Sequence, residues 1–379
     1  MKKNFKIKHY INYIVVAALG ILFTVMALTD SFASPLALIQ LEKIVIAVLL
    51  AVSLSVVVGF LGELSLGHAG FMCVGAYLGG KVSVLLEPVL GNSFPTLLIS
   101  MAVGGVVAAA FGVIIGLPAL RLRGDYLAIV TLAFGEIVRS IFMNSSRETF
   151  GGSLGLATPR FDKKYLFMVG FVMVLICLAV IQNMMKSKHG RAITSIRDSE
   201  IAARATGINV TKYKLIVFTV SSFFAGIAGV LYSFSNNNVQ STNFSYNYSI
   251  EILVMVVLGG MGSINGSIIA ATLITFLDIK LQTILTGNLA VLQDFIYAIV
   301  LILIVIYNNA PGLKNFREKY NLQSLINKIA KGMQNPAKRR DDEAKWHRVP
   351  TKIEIDEVLS TKIQRDPTTS IKPDKGGND

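Results

Sequence analysis

Two glycine-rich runs carry the side chains that could do chemistry in an otherwise apolar sequence. Glu63, Ser65 and His68 lie in Gly59–Phe71 (GFLGELSLGHAGF), and Ser263 and Asn265 lie in Gly259–Gly266 (GGMGSING). A carboxylate, an imidazole, hydroxyls and an amide in such surroundings are groups that bind a polar solute and pass it on. An ionisable group in hydrocarbon is costly and persists where it works. Glu136 belongs with them, and Arg139 follows at i,i+3, close enough to pair on one helix face. That carboxylate is either solute-facing or half of a structural ion pair between helices, and its spacing favours the pair. His68 has two similar readings, pathway residue or hydrogen-bond partner between helices. Catalysis and metal binding find no comparable grouping. Four histidines are scattered, Cys73 and Cys177 each sit inside an apolar run, and no GxxxxGK[ST] phosphate loop occurs. No cofactor is therefore expected on this chain.

A third candidate region is the polar island Met185–Lys214 (MKSKHGRAITSIRDSEIAARATGINVTKYK), set between two hydrophobic runs. Asp198 or Ser199 can N-cap a short helix with a side-chain oxygen. Glu200 then sits in the first turn, where negative charge suits the helix dipole, with Arg204 as its i,i+4 partner. Ala202, Ala203 and Ala205 make a closely approachable face, and Gly207 is a stop able to take positive φ. Pattern alone reads this stretch as a solvated connection between two membrane spans.

The elements that must position these residues are membrane helices. Hydrophobic residues make up 53% of the 379, 16% are charged, and mean hydropathy is +0.59, too apolar for a soluble domain. The net charge of +13 gathers at the N-terminus, the island and the tail. That distribution fits a positive-inside topology and anionic lipids rather than nucleic acid. Spans are expected at Ile11–Leu28, Ile44–Phe60, up to Leu86, Thr96–Leu117, Tyr126–Met143, Tyr165–Met184, Leu215–Ser235 and Ala290–Tyr307. Ser31-Phe-Ala33 imitates a signal-peptidase site, yet the preceding apolar run is long, so an uncleaved first helix is expected.

Ile250–Leu277 is too long and too glycine-rich at its centre for one helix, so a broken or re-entrant pair is expected there. Counting it as one crossing would put the lysine-rich C-terminus outside, whereas a pair keeps both termini cytoplasmic. The expected fold is thus an all-α polytopic membrane protein of about eight full spans plus a broken pair, with pseudo-repeated halves. Residues 1–310 form the membrane domain, with the island at 185–214. Residues 311–379 form a polar, basic, largely disordered tail. Gly59–Gly80 and Gly259–Ala271 share a Gly-x-x-Ser rhythm at Gly62–Ser65 and Gly260–Ser263. Such paired interruptions either mark a substrate pathway between repeats or permit tight helix packing.

Several stretches occur in the order found in a known family: GELSLGHAGFMCVGAY (Gly62–Tyr77), LRLRGDYLAIVTLAFGEIVR (Leu120–Arg139), GGSLGL (Gly151–Leu156), EIAARATGINVTKYKL in the island, SIEILVMVVLGGMGSINGS (Ser249–Ser267) and APGL (Ala310–Leu313). Together they resemble the LivM-type permeases of branched-chain amino-acid ABC importers. The island resembles the EAA loop of such permeases. Glu200, Ala202, Ala203 and Gly207 fall on the motif, Asp198 and Arg204 beside them, and the leading Glu-Ala-Ala is spread here as Glu-Ile-Ala-Ala. The tail after Leu313 has no counterpart in that pattern.

The resemblance implies a non-enzymatic transport subunit in a prokaryotic cytoplasmic membrane, moving leucine, isoleucine or valine inward by alternating access. It implies a second related permease, two cytoplasmic subunits that hold ATP and magnesium, and an extracytoplasmic substrate-binding protein. The short helix would dock on an ATP-binding subunit and pass its displacement as a rigid body to the flanking spans. For a zwitterionic substrate, helix N-termini near Ser65–Gly67 and Ser263–Gly266 would offer N–H groups to the carboxylate, and Glu63 or Glu136 would face the ammonium. Sister permeases for urea, short amides or simple sugars share this architecture. An ion-coupled secondary transporter is the rival from another class.

Overall fold

The computed structural model describes residues 35–119, 125–159 and 161–284, together with helical residues 295–299, 302 and 306. The expected first span Ile11–Leu28 and the tail 311–379 lie outside the described residues, as does most of the expected last span. Helices α1 (Pro35–Ser55), α2 (His68–Leu90), α3 (Phe94–Ala119), α4 (Asp125–Met143) and α6 (Lys163–Lys186) follow the apolar runs. Between α4 and α6 come the short α5 (Arg147–Phe150), a 3-10 turn and strand β1 (Leu156–Ala157). The island folds as α7 (Lys188–Asp198) and α8 (Glu200–Ala205), and the chain continues as α9 (Val210–Asn236). Strand β2 (Asn238–Val239) pairs antiparallel with β1, joining the two connections at the end of the bundle opposite the island. The broken stretch is α10 (Tyr246–Gly259) and α11 (Ile264–Ile284).

Seven helices among the described residues are long and apolar enough to cross a membrane. The expected break is present: α10 has 14 residues, about 21 Å of helix, short of the roughly 30 Å hydrocarbon core. Helix α2 outlasts the expected span end at Leu86, running through Pro88 and ending where Gly91 N–H bonds Glu87 O at 2.9 Å. The seventh expected span starts earlier, at Val210, because Asn209 Oδ1 accepts from Lys212 N and caps a turn drawn from the island.

The centre is a three-helix crossing of α2, α3 and α9. A Cβ on Gly75 would collide with the backbone of Gly226, and one on Gly226 would lie 2.6 Å from Gly104 O. Glycine on three facing helices lets their backbones touch, which replaces the hydrophobic drive that lipid does not supply between helices. Helix α1 is enclosed by α6, α9, α10 and α11, and 89% of its apolar window is buried against 33% for α3 and α4. The isoleucines left outward on α4, Ile129, Ile137 and Ile141, are the face such a helix turns to lipid.

Candidate functional site

The two glycine-rich runs meet. Helix α1 widens into a π turn, Val56–Leu61, and stops at Gly62, whose φ of 80° is a left-handed cap. π turns often sit at functional places because they leave the regular ladder. Residues 62–67 run without helix until α2 begins at His68. Helix α10 stops at Gly259, and Gly260 and Gly262 turn the chain with φ of 92° and 83° before α11. A Cβ on Gly59 would come 2.6 Å from Gly262 N, so the two breaks lie backbone to backbone.

Backbone N–H groups released by these breaks find partners inside the chain. Leu66 N donates to Thr131 Oγ1 at 3.0 Å, and Ala69 N donates to Ser249 Oγ at 3.1 Å. Gly266 N donates to Ser263 Oγ at 3.1 Å, and Ser267 N to Ser263 O at 3.0 Å. His68 is buried with Nε2 2.8 Å from Ser53 Oγ. Ser53 Oγ also lies 2.9 Å from Leu50 O, the carbonyl one turn back on α1. His68 is thus hydrogen-bonded between α2 and α1.

The island forms two helices where the sequence reading expected one short helix. Its first half is amphipathic: Gly190, Ala192, Ile193 and Ile196 of α7 are buried while the charged residues face out. Ser187 Oγ caps α7 by accepting from His189 N at 3.1 Å. Of the two capping candidates, Ser199 caps α8, accepting from Ala202 N at 3.3 Å, and Asp198 ends α7 and pairs with Arg197 at 3.1 Å. Glu200 and Arg204 pair at 2.6 Å. Gly207 ends the motif at φ 84°, with Ile208 N bonded to Ala203 O. Ala203 is buried, whereas Ile201, Ala202 and Ala205 face out. An isoleucine 74% exposed on a six-residue helix is an apolar tip.

Side chains join this peg to the first break. Lys214, in the second turn of α9 and 3% exposed, forms ion pairs with Glu63 and, at 3.2 Å, with Glu200. The Glu63 carboxyl, which lies outside the spans, is pushed above its usual range. Burial outweighs the Lys214 hydrogen bond and charge, and the nearby Glu200 carboxylate adds to the rise. Arg197 runs its stem across Gly62, where a Cβ would sit 2.7 Å from Cγ. Its Nη1 donates to Gly59 O at 3.4 Å and lies 3.6 Å from the Cβ position of Gly262.

Of the residues marked from sequence, Glu63 and Glu200 are thus brought together through Lys214. Ser65 is buried beside them in sequence, Ser263 starts α11, and Asn265 is exposed. Glu136 stands elsewhere: it pairs with Arg139 at 2.8 Å and its Oε1 accepts from Tyr246 N at 3.0 Å, placing a carboxylate at the start of α10. Sequence reasoning passed over Lys214, Arg197 and Ile201. Nothing in local spacing ties Lys214 to Glu63. Ile201 was legible as the one large apolar residue among the alanines.

The family described as branched-chain amino acid transport system / permease component matches residues 36–305. The chain is 38% identical over 260 residues to the high-affinity branched-chain amino acid transport system permease protein LivM of Salmonella typhimurium. It is 37% identical over 260 residues to the protein of the same name in Escherichia coli. In both comparisons the match spans 60% of this chain and 60% of the relative's length. The ribose import permease protein RbsC of Escherichia coli is 26% identical over 246 residues, 61% of this chain and 74% of that one. No solved structure matches the chain.

Proposed function

We infer the function from the premise that this chain belongs to the family of branched-chain amino acid transport system permease components. It is a multi-pass membrane protein, and we propose that it is one permease subunit of an ATP-driven importer for leucine, isoleucine and valine. A second, related permease completes the membrane part. Two cytoplasmic subunits bind ATP and magnesium and perform the hydrolysis, and an extracytoplasmic binding protein delivers the solute. The island faces the cytoplasm, as do both chain termini in the full topology.

The observation that carries this reading is the peg, α8. It projects Ile201, Ala202 and Ala205 from the bundle while Ala203 and the Lys214 ion pairs hold its other side. A partner that grips such a tip can move it, and a conformational balance shifts only through contacts that differ between its states. Closure of the ATP-binding subunits supplies that difference, and the broken helices are where the bundle has least backbone continuity to resist it. The solute path runs by the two breaks, past Glu63, Ser65, His68, Ser263 and Asn265, with Glu136 at the start of α10. The N–H groups first read as carboxylate donors are already bonded to Thr131, Ser249 and Ser263, so affinity in the membrane is weak. Selectivity for the side chain rests with the binding protein.

The decisive experiment is purification in mild detergent with identification of every subunit that accompanies the chain, followed by uptake in proteoliposomes. Gly207→Pro removes the N–H that bonds Arg204 O and forbids the positive φ, and Ala203→Asp places a charge in a buried seat. Both variants are expected to remain in the membrane and to lose ATP-coupled uptake. Normal coupling in either one refutes the role of α8. Comparing Glu63→Gln with Glu63→Leu separates a transport role from packing, since only the first keeps a polar group at that place. Identity to a ribose permease supports a second reading, a sugar solute, which uptake of labelled leucine against ribose decides.

A further inference from the structure

We propose that Arg197 and Lys214 are the two ties through which motion of the peg reaches the glycine breaks, in place of a rigid push along the flanking spans. This rests on the function proposed above and names the residues that transmit its power stroke. Neither flank of α8 is continuous helix. On one side the chain is extended at Ser199, with φ of −161° and ψ of 108°, and again at Ser187 with ψ of −179°. On the other it passes through Gly207 at φ 84° and the extended cap Asn209. Torsions of this kind bend under a sideways load, so a displacement of α8 is not handed on to α6 or α9 as through a rod.

Lys214 bridges that gap directly, and Arg197 ties α7, which packs against the peg, to the same breaks. Lys214 shares one buried ammonium between Glu200 on the peg and Glu63 in the first break. Moving Glu200 away leaves that ammonium drawn toward two places at once, so the break follows the peg or the pair opens at a heavy cost in desolvation. Arg197 leaves the last turn of α7 and lies in the cradle that Gly62, Gly59 O and Gly262 make. The cradle exists because Gly62 has no side chain: a Cβ there would lie 2.7 Å from Arg197 Cγ. One guanidinium thus bonds the end of α1 and faces, across the space a Cβ on Gly262 would fill, the turn between α10 and α11, the two interruptions that a path between the halves would open. Arg197 and Lys214 are positioning residues, since they act on the path through other groups.

The test uses the complete complex in proteoliposomes, with its partner permease, ATP-binding subunits and binding protein, and reads solute taken up per ATP hydrolysed. Arg197→Ala cuts one tie. Glu200→Gln cuts the other while leaving Lys214 paired with Glu63. Each is expected to lower uptake per ATP about tenfold, a common size for one coupling contact between sites, and Arg197→Lys is expected to recover part of the loss. A merely structural role would lower yield and leave that ratio unchanged. Should Arg197→Ala fail to assemble, Arg197→Gln keeps the stem across Gly62 without the charge and is read the same way. A wild-type ratio in these variants overturns the proposal. A wild-type particle that contains no ATP-binding subunit refutes the proposed function instead.

Discussion

The two glycine breaks look alike in sequence and are wired differently. In the second, four residues, 260–263, turn the chain between α10 and α11, and Ser263 at once caps the new helix through Gly266 N. Its hydrogen bonds are local, although Gly59 and Arg197 lie beside Gly262. The first is a longer non-helical segment, 62–67, whose Leu66 N and Glu63 are met by Thr131 on α4 and Lys214 on α9, while Ala69 N just past it is met by Ser249 on α10. The shared Gly-x-x-Ser rhythm hides this: Ser263 stands next to its helix, while Ser65 is buried three residues before α2. A break held by itself can turn as a unit. A break held by three other helices registers what those helices do, which makes the first the receiver and the second the corner it works against.

The largest effect should come from spoiling the corner. A Cβ on Gly266 would run into Gly259 O, and one on Gly259 into the Gly266 backbone. With backbone on both sides nothing can yield, so Gly266→Val is expected to give no assembled, detergent-stable protein by size-exclusion chromatography. Recovery of a monodisperse wild-type peak would show that the corner is softer than its packing implies. Next in size is Lys214→Met, which leaves Glu63 without its buried cation while Glu200 keeps Arg204. Breaking one side of a buried pair costs about 3–5 kcal/mol, seen as a lower apparent Tm. Adding Glu63→Gln to Lys214→Met should recover part of that loss. Without recovery, the first break is not tied through Lys214 and the contrast with the second fails.

A matched pair of smaller changes sharpens the contrast. Ser249→Ala removes the acceptor for Ala69 N, where both residues are buried, and an orphaned buried donor costs about 1–3 kcal/mol. Ser263→Ala removes the acceptor for Gly266 N at an exposed position, where water can substitute, so its cost is expected below about 1 kcal/mol. Thermal unfolding of both variants at one scan rate reads the difference. Equal losses would mean that the two breaks depend on their caps alike.

Hydropathy placed most of the spans among the described residues to within a few residues, because an apolar run of that length in a membrane has one stable form, the helix; the helix expected from Ile44 begins earlier, at Pro35. The break at Gly259–Gly266 was legible for the same reason in reverse, and the Glu136–Arg139 pair followed from i,i+3 spacing. The second duty of Glu136, accepting from Tyr246 N, was not legible, since nothing local joins residues on α4 and α10. The island misled in a different way. Attention fell on the alanine-rich half, while Ile193, Ile196 and Arg197 form the helix that touches the breaks. Their pattern, apolar at i and i+3 with glycine and alanine beside them, is an amphipathic helix on ordinary periodicity. Lys214 escaped because Glu63 is remote from it in sequence, and only packing brings that carboxylate to the ammonium that Glu200 also holds.

The smallest effect expected concerns the charge on Glu63, and its sign separates burial from pairing. Burial raises the carboxyl above its ordinary value of 4.5, with Lys214 opposing. A folded-state pKa raised in this way means that the folded protein holds the proton more tightly than the unfolded chain. The stabilising contribution is therefore complete below about pH 4.5 and fades as pH rises through the folded value. Glu63→Gln cannot titrate, so wild type should lose apparent Tm relative to the variant as pH climbs through that window, by a few degrees at most. If pairing with Lys214 outweighed burial, the carboxyl would sit below its ordinary value and wild type would gain on the variant with rising pH. A gain would make the first break a charge-held latch that acid opens. The expected loss makes it a junction where burial of the carboxyl outweighs its pairing with Lys214.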